Sequence, residues 1–164
     1  MRLFSIFIVL LLLVSCRKTE KPFQNSMRLV FDGQKVDCNG EITARVTGSL
    51  LTIYGYWTGS DIKQGYVSIS LTDFDNTTGE KKFGTTLLGN GGISLVKTFA
   101  LSGGGEISTF YHGVDSLTKL VILEVDDKYI KGTFEAVTKS PALANAPSVI
   151  KYMTNGEFHI KKSR

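Results

Sequence analysis

The sequence predicts an all-β domain of about nine to ten strands behind a signal peptide. Its architecture is an antiparallel β-sandwich or a closed barrel, a lipocalin-like one included. Three observations predict it. After Met27, apolar and polar residues alternate with period two in most stretches. Turn-forming Asp-Gly, Asn-Gly and Gly-rich clusters recur at short intervals, helped by 17 Gly in the chain. Helix signals are confined to one short stretch. The 164 residues, 42% of them apolar, suit a single domain with a real core and exclude general disorder. Two cysteines are too few for a disulfide framework.

Residues 1–15 read as a targeting segment. Arg2 precedes an apolar run from Leu3 to Val14 that is broken only by Ser5. As a helix those 12 residues reach about 18 Å, against a bilayer core of ~30 Å, so the run suits a signal-peptide core and not a span. It ends in Leu13-Val14-Ser15-Cys16, which resembles the bacterial lipobox. That resemblance implies cleavage after Ser15 and acylation of Cys16, which becomes the new N-terminus. Two or three acyl chains hold a protein stably at a membrane, at about 0.8 kcal/mol per buried methylene. The alternative is an ordinary secretory signal with a cysteine at that place.

Residues 16–26 form the lipidated cysteine and a tether, opening with Arg17-Lys18-Thr19-Glu20-Lys21-Pro22. Residues 27–164 are the folded domain. Without the segment that carries Arg2, 18 Lys and Arg stand against 15 Asp and Glu, a net charge of +3. These charges form no basic stripe, so a nucleic-acid partner is not expected. The basic tether could lie against anionic lipid or simply be solvated. Cys38, with Cys16 acylated, is expected to be a free, buried thiol.

The strands follow in order. Met27 to Phe31 and Gln34 to Asp37 form a hairpin around Asp32-Gly33, a pair that tolerates the positive φ angles of a type I′ turn. Glu41 to Val46 follows the Asn39-Gly40 turn, and Leu50 to Trp57 follows Thr47-Gly48-Ser49. In that strand Leu51, Ile53 and Trp57 lie on one side, with Leu50, Tyr54 and Tyr56 on the other. Such a strand is either covered twice or lines a cavity. Gln64 to Leu71 alternates cleanly, with Val67, Ile69 and Leu71 facing the core. Asp73 to Lys82 reads as a polar turn and Phe83 to Leu88 as strand. Ile93 to Leu101, Glu106 to Tyr111, Leu117 to Val125 and Tyr129 to Val137 read as four further strands. Val149 to Met153 and Gly156 to Ile160 close the series around Asn155-Gly156. Ser140-Pro141-Ala142-Leu143-Ala144-Asn145 offers a helix cap and at most a turn or two.

Chemical motifs are scarce. The two histidines, His112 and His159, belong to no motif with catalytic spacing, and no Gly-x-Ser-x-Gly elbow occurs. Metal-ligand spacings are absent too. Counted from Asp73, a calcium loop needs Gly sixth and Glu twelfth, where the chain has Thr78 and Gly84. The glycines at 89–92 and 103–105 are followed by strand, so they are turns and not a dinucleotide fingerprint. No cofactor, metal or catalytic residue is therefore expected. Aromatic residues remain: Tyr54, Tyr56, Trp57, Tyr66, Phe110 and Tyr111 lie on strands. Facing a groove or cavity, they could stack on a sugar or enclose an apolar ligand; facing inward, they are ordinary packing.

The lipobox, the strand ending Phe31-Asp32-Gly33, the phrase Ile130-Lys131-Gly132-Thr133-Phe134-Glu135-Ala136 and the closing Thr154-Asn155-Gly156-Glu157-Phe158 occur together. This set resembles the small β-rich lipoproteins of Bacteroidetes grouped as a domain of unknown function (DUF6252-like), over residues 27–160. It departs from their pattern after the first Asp-Gly turn, where Val36-Asp37 replaces an aromatic. The resemblance implies an envelope lipoprotein with an all-β fold and no assigned activity. In that phylum an acidic run after the cysteine accompanies surface export. The basic run here points to the periplasmic face of the outer membrane.

The expected function is non-enzymatic binding of a small molecule, glycan or envelope protein by a membrane-anchored domain. Tyr54, Tyr56, Trp57, Tyr66 and Tyr111 are the candidate contacts, and Tyr54 or Tyr56 is expected to line an internal cavity. A structural, adhesion or assembly subunit is the alternative. A hydrolase using His112 comes last.

Overall fold

The computed structural model describes residues 22–59, 62–83, 91–141 and 147–163; Cys16 and the whole signal segment lie outside them. Ten strands follow one another without a described helix: β1 (Ser26–Phe31), β2 (Gln34–Asp37), β3 (Ile42–Thr47), β4 (Leu50–Trp57), β5 (Gln64–Leu71), β6 (Gly79–Lys81), β7 (Gly92–Ala100), β8 (Glu106–Val125), β9 (Tyr129–Lys139) and β10 (Ile150–Ser163). The all-β expectation is met.

The ladder closes on itself. β3, β4, β5, β7, β8, β9 and β10 pair in that sequence, and β10 returns to β3. Every pairing is antiparallel except the last, a parallel contact of Lys162 with Ala44 and Ser163 with Arg45. Closure removes most sheet edges, the usual liability of antiparallel strands. The β1–β2 hairpin lies along the rest of the same β10 edge. Its turn is the type expected: Phe31 faces Gln34, and Asp32 and Gly33 have φ of 51° and 81°.

Three readings of the sequence change. Glu106–Tyr111 and Leu117–Val125 are one strand, β8, whose first half pairs with β7 and whose second half pairs with β9. It changes neighbours at His112, which faces Ser94 of β7 and Lys139 of β9, just before an irregularity between Gly113 and Thr118. Likewise Asn155-Gly156 is not a turn between strands. It is a bulge inside β10, with Asn155 at φ 51°. Finally, the polar stretch after Asp73 contains β6, a short edge strand on β8. The strand suggested at Phe83–Leu88 falls mostly outside the described residues, as does the helical turn after Pro141.

The interior is packed with side chains. Ala44, Leu51, Ile53, Val67, Ile69 and Leu120 are fully enclosed, and Phe134, Phe158 and Trp57 fill the wider space among them. Three glycines make room for the large rings. Gly65 lies directly opposite Trp57, Gly132 opposite Phe158 and Gly156 opposite Phe134. A Cβ on Gly132 or Gly156 would stand 2.6 Å from the facing ring. The expected internal cavity behind Tyr54 or Tyr56 is therefore not found among the described residues; both tyrosines face outward.

Candidate functional site

Alternation on four neighbouring strands aims one set of residues at solvent. On β4 these are Thr52, Tyr54 and Tyr56; on β5, Gln64, Tyr66 and Ser68; on β7, Ser94, Val96 and Thr98; on β8, Ser108, Phe110 and His112. Register then arranges them in rows across the strands. Tyr56 pairs with Tyr66, Tyr66 with Val96, and Val96 with Phe110. The two tyrosine rings meet at 5.7 Å, tilted by 43°. Val96 points away from the core cluster yet is only 4% exposed. Its cover must come from the outer face itself, where Tyr66 and Phe110 flank it. This four-strand apolar row is 43% open at Phe110 and half-buried at both tyrosines.

Polar rows border it on both sides. Tyr54, Ser68, Ser94 and His112 form one, with Ser94 Oγ 3.1 Å from His112 Nδ1. Gln64, Thr98 and Ser108 form the other, where the two hydroxyls bond at 2.8 Å. At the β4 end the apolar row opens into a groove of about 540 Å³, lined by Gly40, Glu41, Tyr56, Trp57, Thr58, Lys63 and Gln64. The loop after β2 builds its wall. Gly40 N–H donates to Tyr56 O at 2.9 Å, Tyr56 N–H donates to Glu41 O at 3.0 Å, and Thr58 N–H donates to Asn39 Oδ1 at 3.0 Å. Lys63 is held by an ion pair with Glu106.

The five candidate aromatics thus divide. Tyr54, Tyr56 and Tyr66 share the outer face, joined by Phe110 and by Val96, which sequence reasoning missed. Trp57 is buried over Gly65, touching the groove only at its floor. Tyr111 turns inward and packs edge-on against Phe31 at 5.1 Å. Alternation alone separates Tyr111 from Phe110. Only the register joins Val96 to the row.

A second concave face crosses β8, β9, β10 and β1, with grooves of about 510 and 490 Å³ that share Thr133 and Glu157. Its charges are largely spent on each other. Arg28 pairs with Glu157, Lys131 Nζ lies 2.8 Å from Glu124, and Lys119 Nζ lies 3.6 Å from Glu80. Cys38 borders it, but burial and then the charge of Asp37 push its thiol up to about 12, far from a reactive thiolate.

The Ser94–His112 contact has the elements of a nucleophile and a base. Hydrolysis also needs an orienting acid and donors for an oxyanion. The residue directly opposite His112 on β9 is Lys139, a cation, and the pair stands on the open face of the sheet. In the loop before β6, Asp75 is engaged by Lys81 Nζ at 2.6 Å and by Thr77 Oγ1 at 2.7 Å. Among the described residues no group of three or more His, Cys, Asp or Glu is placed to hold a metal. Compared with family models, curated proteins and solved structures, the chain gave no match.

Proposed function

We propose that this chain is a bacterial envelope lipoprotein, anchored through Cys16, whose outer β4–β5–β7–β8 face binds a glycan. The observation that carries the ligand class is the row Tyr56–Tyr66–Val96–Phe110 between two rows of hydroxyl, amide and imidazole groups. A sugar ring offers an apolar face to an aromatic ring and hydroxyls around its edge, so alternating apolar and polar rows match it. The adjoining groove adds Glu41, Lys63 and Gln64 as further polar contacts. The lipobox supports the anchor, and the basic Arg17-Lys18 run after it supports the outer membrane's periplasmic face.

The test is an array of envelope glycans and other polysaccharides probed with the exported protein. Binding is expected, and a Tyr56→Ala/Tyr66→Ala protein should bind at least about fivefold more weakly, at about 0.5–1.5 kcal/mol per aromatic contact. A folded double variant that binds as the wild type does would overturn the site. A wild type that binds no glycan would overturn the ligand class. The anchor is tested apart: a Cys16→Ala protein that still fractionates with membranes after a high-salt wash, which removes contacts held by charge alone, ends that reading.

A structural or assembly role has its own support. Leu117, Ile150 and Tyr152 on the outside of β8 and β10 are each more than half exposed. Discrete oligomers in native mass spectrometry, lost on Tyr152→Ser, would favour that role over glycan binding.

A further inference from the structure

The net positive charge of this protein comes from its two ends, and the fold sets Phe23 and Asn25, which follow the first cluster in sequence, beside Lys161 and Lys162 of the second. From Pro22 to Ile160 the chain has twelve Lys and Arg against fourteen Asp and Glu. The excess lies in Arg17, Lys18 and Lys21 at one terminus and in Lys161, Lys162 and Arg164 at the other, against Glu20 alone. The barrel itself is slightly acidic.

Asn25 is the link. Its side-chain Nδ2 donates to Ile42 O of β3 at 2.8 Å, and its Oδ1 accepts from Lys161 N–H of β10 at 2.8 Å. Two residues earlier, Phe23 packs on Tyr129 at 4.5 Å and edge-on against His159 at 4.7 Å. The N-terminal segment is therefore fastened to the barrel from Phe23 onward. Only five residues separate Cys16 from Pro22, so the span reaches about 20 Å at full extension. Beside the entry point lies an open groove of about 540 Å³, lined by Phe23, Gln24, Asn25, Ile42, Lys161 and Lys162 among others. Lys128 adjoins it, since Lys162 N–H donates to Lys128 O at 2.7 Å. The nearby carboxylate of Asp126 is occupied by the backbone N–H groups of Lys128 and Tyr129, both at 2.7 Å.

The geometry points to a membrane-contact face: the barrel end carrying Phe23, Lys161 and Lys162 seats on anionic phospholipid headgroups. Fastening at Phe23 keeps this end within the short tether's reach of the bilayer. Lysines near an anionic surface then hold it there, and Phe23, 38% exposed, can enter the headgroup layer. This inference rests on the anchor reading for its setting, but the contact itself needs no acyl chain.

The test uses the mature chain from residue 16 onward, unacylated through Cys16→Ser, sedimented with vesicles of phosphatidylcholine alone or with one-third phosphatidylglycerol. Binding is expected only to the anionic vesicles and should fade as salt is raised. Adding Lys161→Gln and Lys162→Gln should weaken it by about fivefold per lysine. Equal binding by that variant would overturn the face in favour of the basic tether alone, and binding indifferent to phosphatidylglycerol would overturn the charge argument. No binding to either vesicle would overturn the proposal outright. Failure of the anchor reading shows separately, as wild-type protein whose mass carries no acyl groups.

Discussion

Trp57 lies directly across the β4–β5 pair from Gly65, its indole covering the place where a Cβ would stand. Gly132 under Phe158 and Gly156 under Phe134 repeat the relationship elsewhere in the barrel. A narrow barrel holds a few large rings only where the opposite residue has no side chain. The glycines are thus part of the core's volume, in the manner of aromatic rings covering strand glycines.

Gly65→Ala should therefore destabilise by overpacking, by about 1–3 kcal/mol. Trp57 is the sole tryptophan, so its fluorescence in a urea titration reads both the loss and any displacement of the ring. An unchanged midpoint and spectrum would contradict the covered-glycine account.

Cys38 should resist thiol reagents at pH 8 in the folded protein and react at once in denaturant. Its thiol is raised to about 12 in the fold, by burial first and Asp37 second, from an ordinary value of 9.0. The folded state holds this proton more tightly than the unfolded one. Stability should then fall as pH rises above about 9, by at most about 1.4 kcal/mol per unit from this group. Cys38→Ala should flatten that slope in denaturation curves recorded from pH 8 to 11.

Asp75 behaves oppositely. The hydrogen bond from Lys81 Nζ, with others from Thr77, holds its carboxyl down to about 2 from 3.8. A depressed carboxylate favours the fold above its unfolded value and stops doing so as pH falls through the folded one. The loop before β6 should thus loosen between about pH 4 and 2. Carbon-detected NMR of the carboxyl should show the low midpoint, and Lys81→Met should return it towards 3.8.

Asn25→Ala should cost about 1–3 kcal/mol, since it leaves Ile42 O and Lys161 N–H without their bridge. Amide exchange should rise first at Lys161 and along β3. Protection unchanged at Lys161 would show that the bridge contributes nothing to closing the barrel.

Much of this fold was legible because alternation is a local property. Leu50–Trp57 and Gln64–Leu71 match β4 and β5 at both ends, and Asp32-Gly33 forms the turn its residues favour. What failed was long-range. Asn155-Gly156 has the same turn chemistry as Asp32-Gly33, yet β9 runs past it on the other side and makes it a bulge. β8 was divided for a like reason, since nothing local says that one strand serves two partners. Three polar residues in β6 carry no alternation to read. At the candidate site alternation grouped Tyr54 and Tyr56 opposite Trp57 but did not say that their face looks outward, whereas Val96 needed the β5–β7–β8 register and Trp57 needed Gly65.

The parallel contact between β10 and β3 also sets an order of events. It joins Ala44 and Arg45 to Lys162 and Ser163, and β10 follows every other strand in the chain. Hairpins such as β4–β5 can form while the polypeptide is still emerging, but the ring stays an open, curling sheet until β10 arrives. The final contacts join residues more than a hundred positions apart, so loop-closure entropy falls on the last step. A nascent chain of this design remains unlocked until β10 has been made.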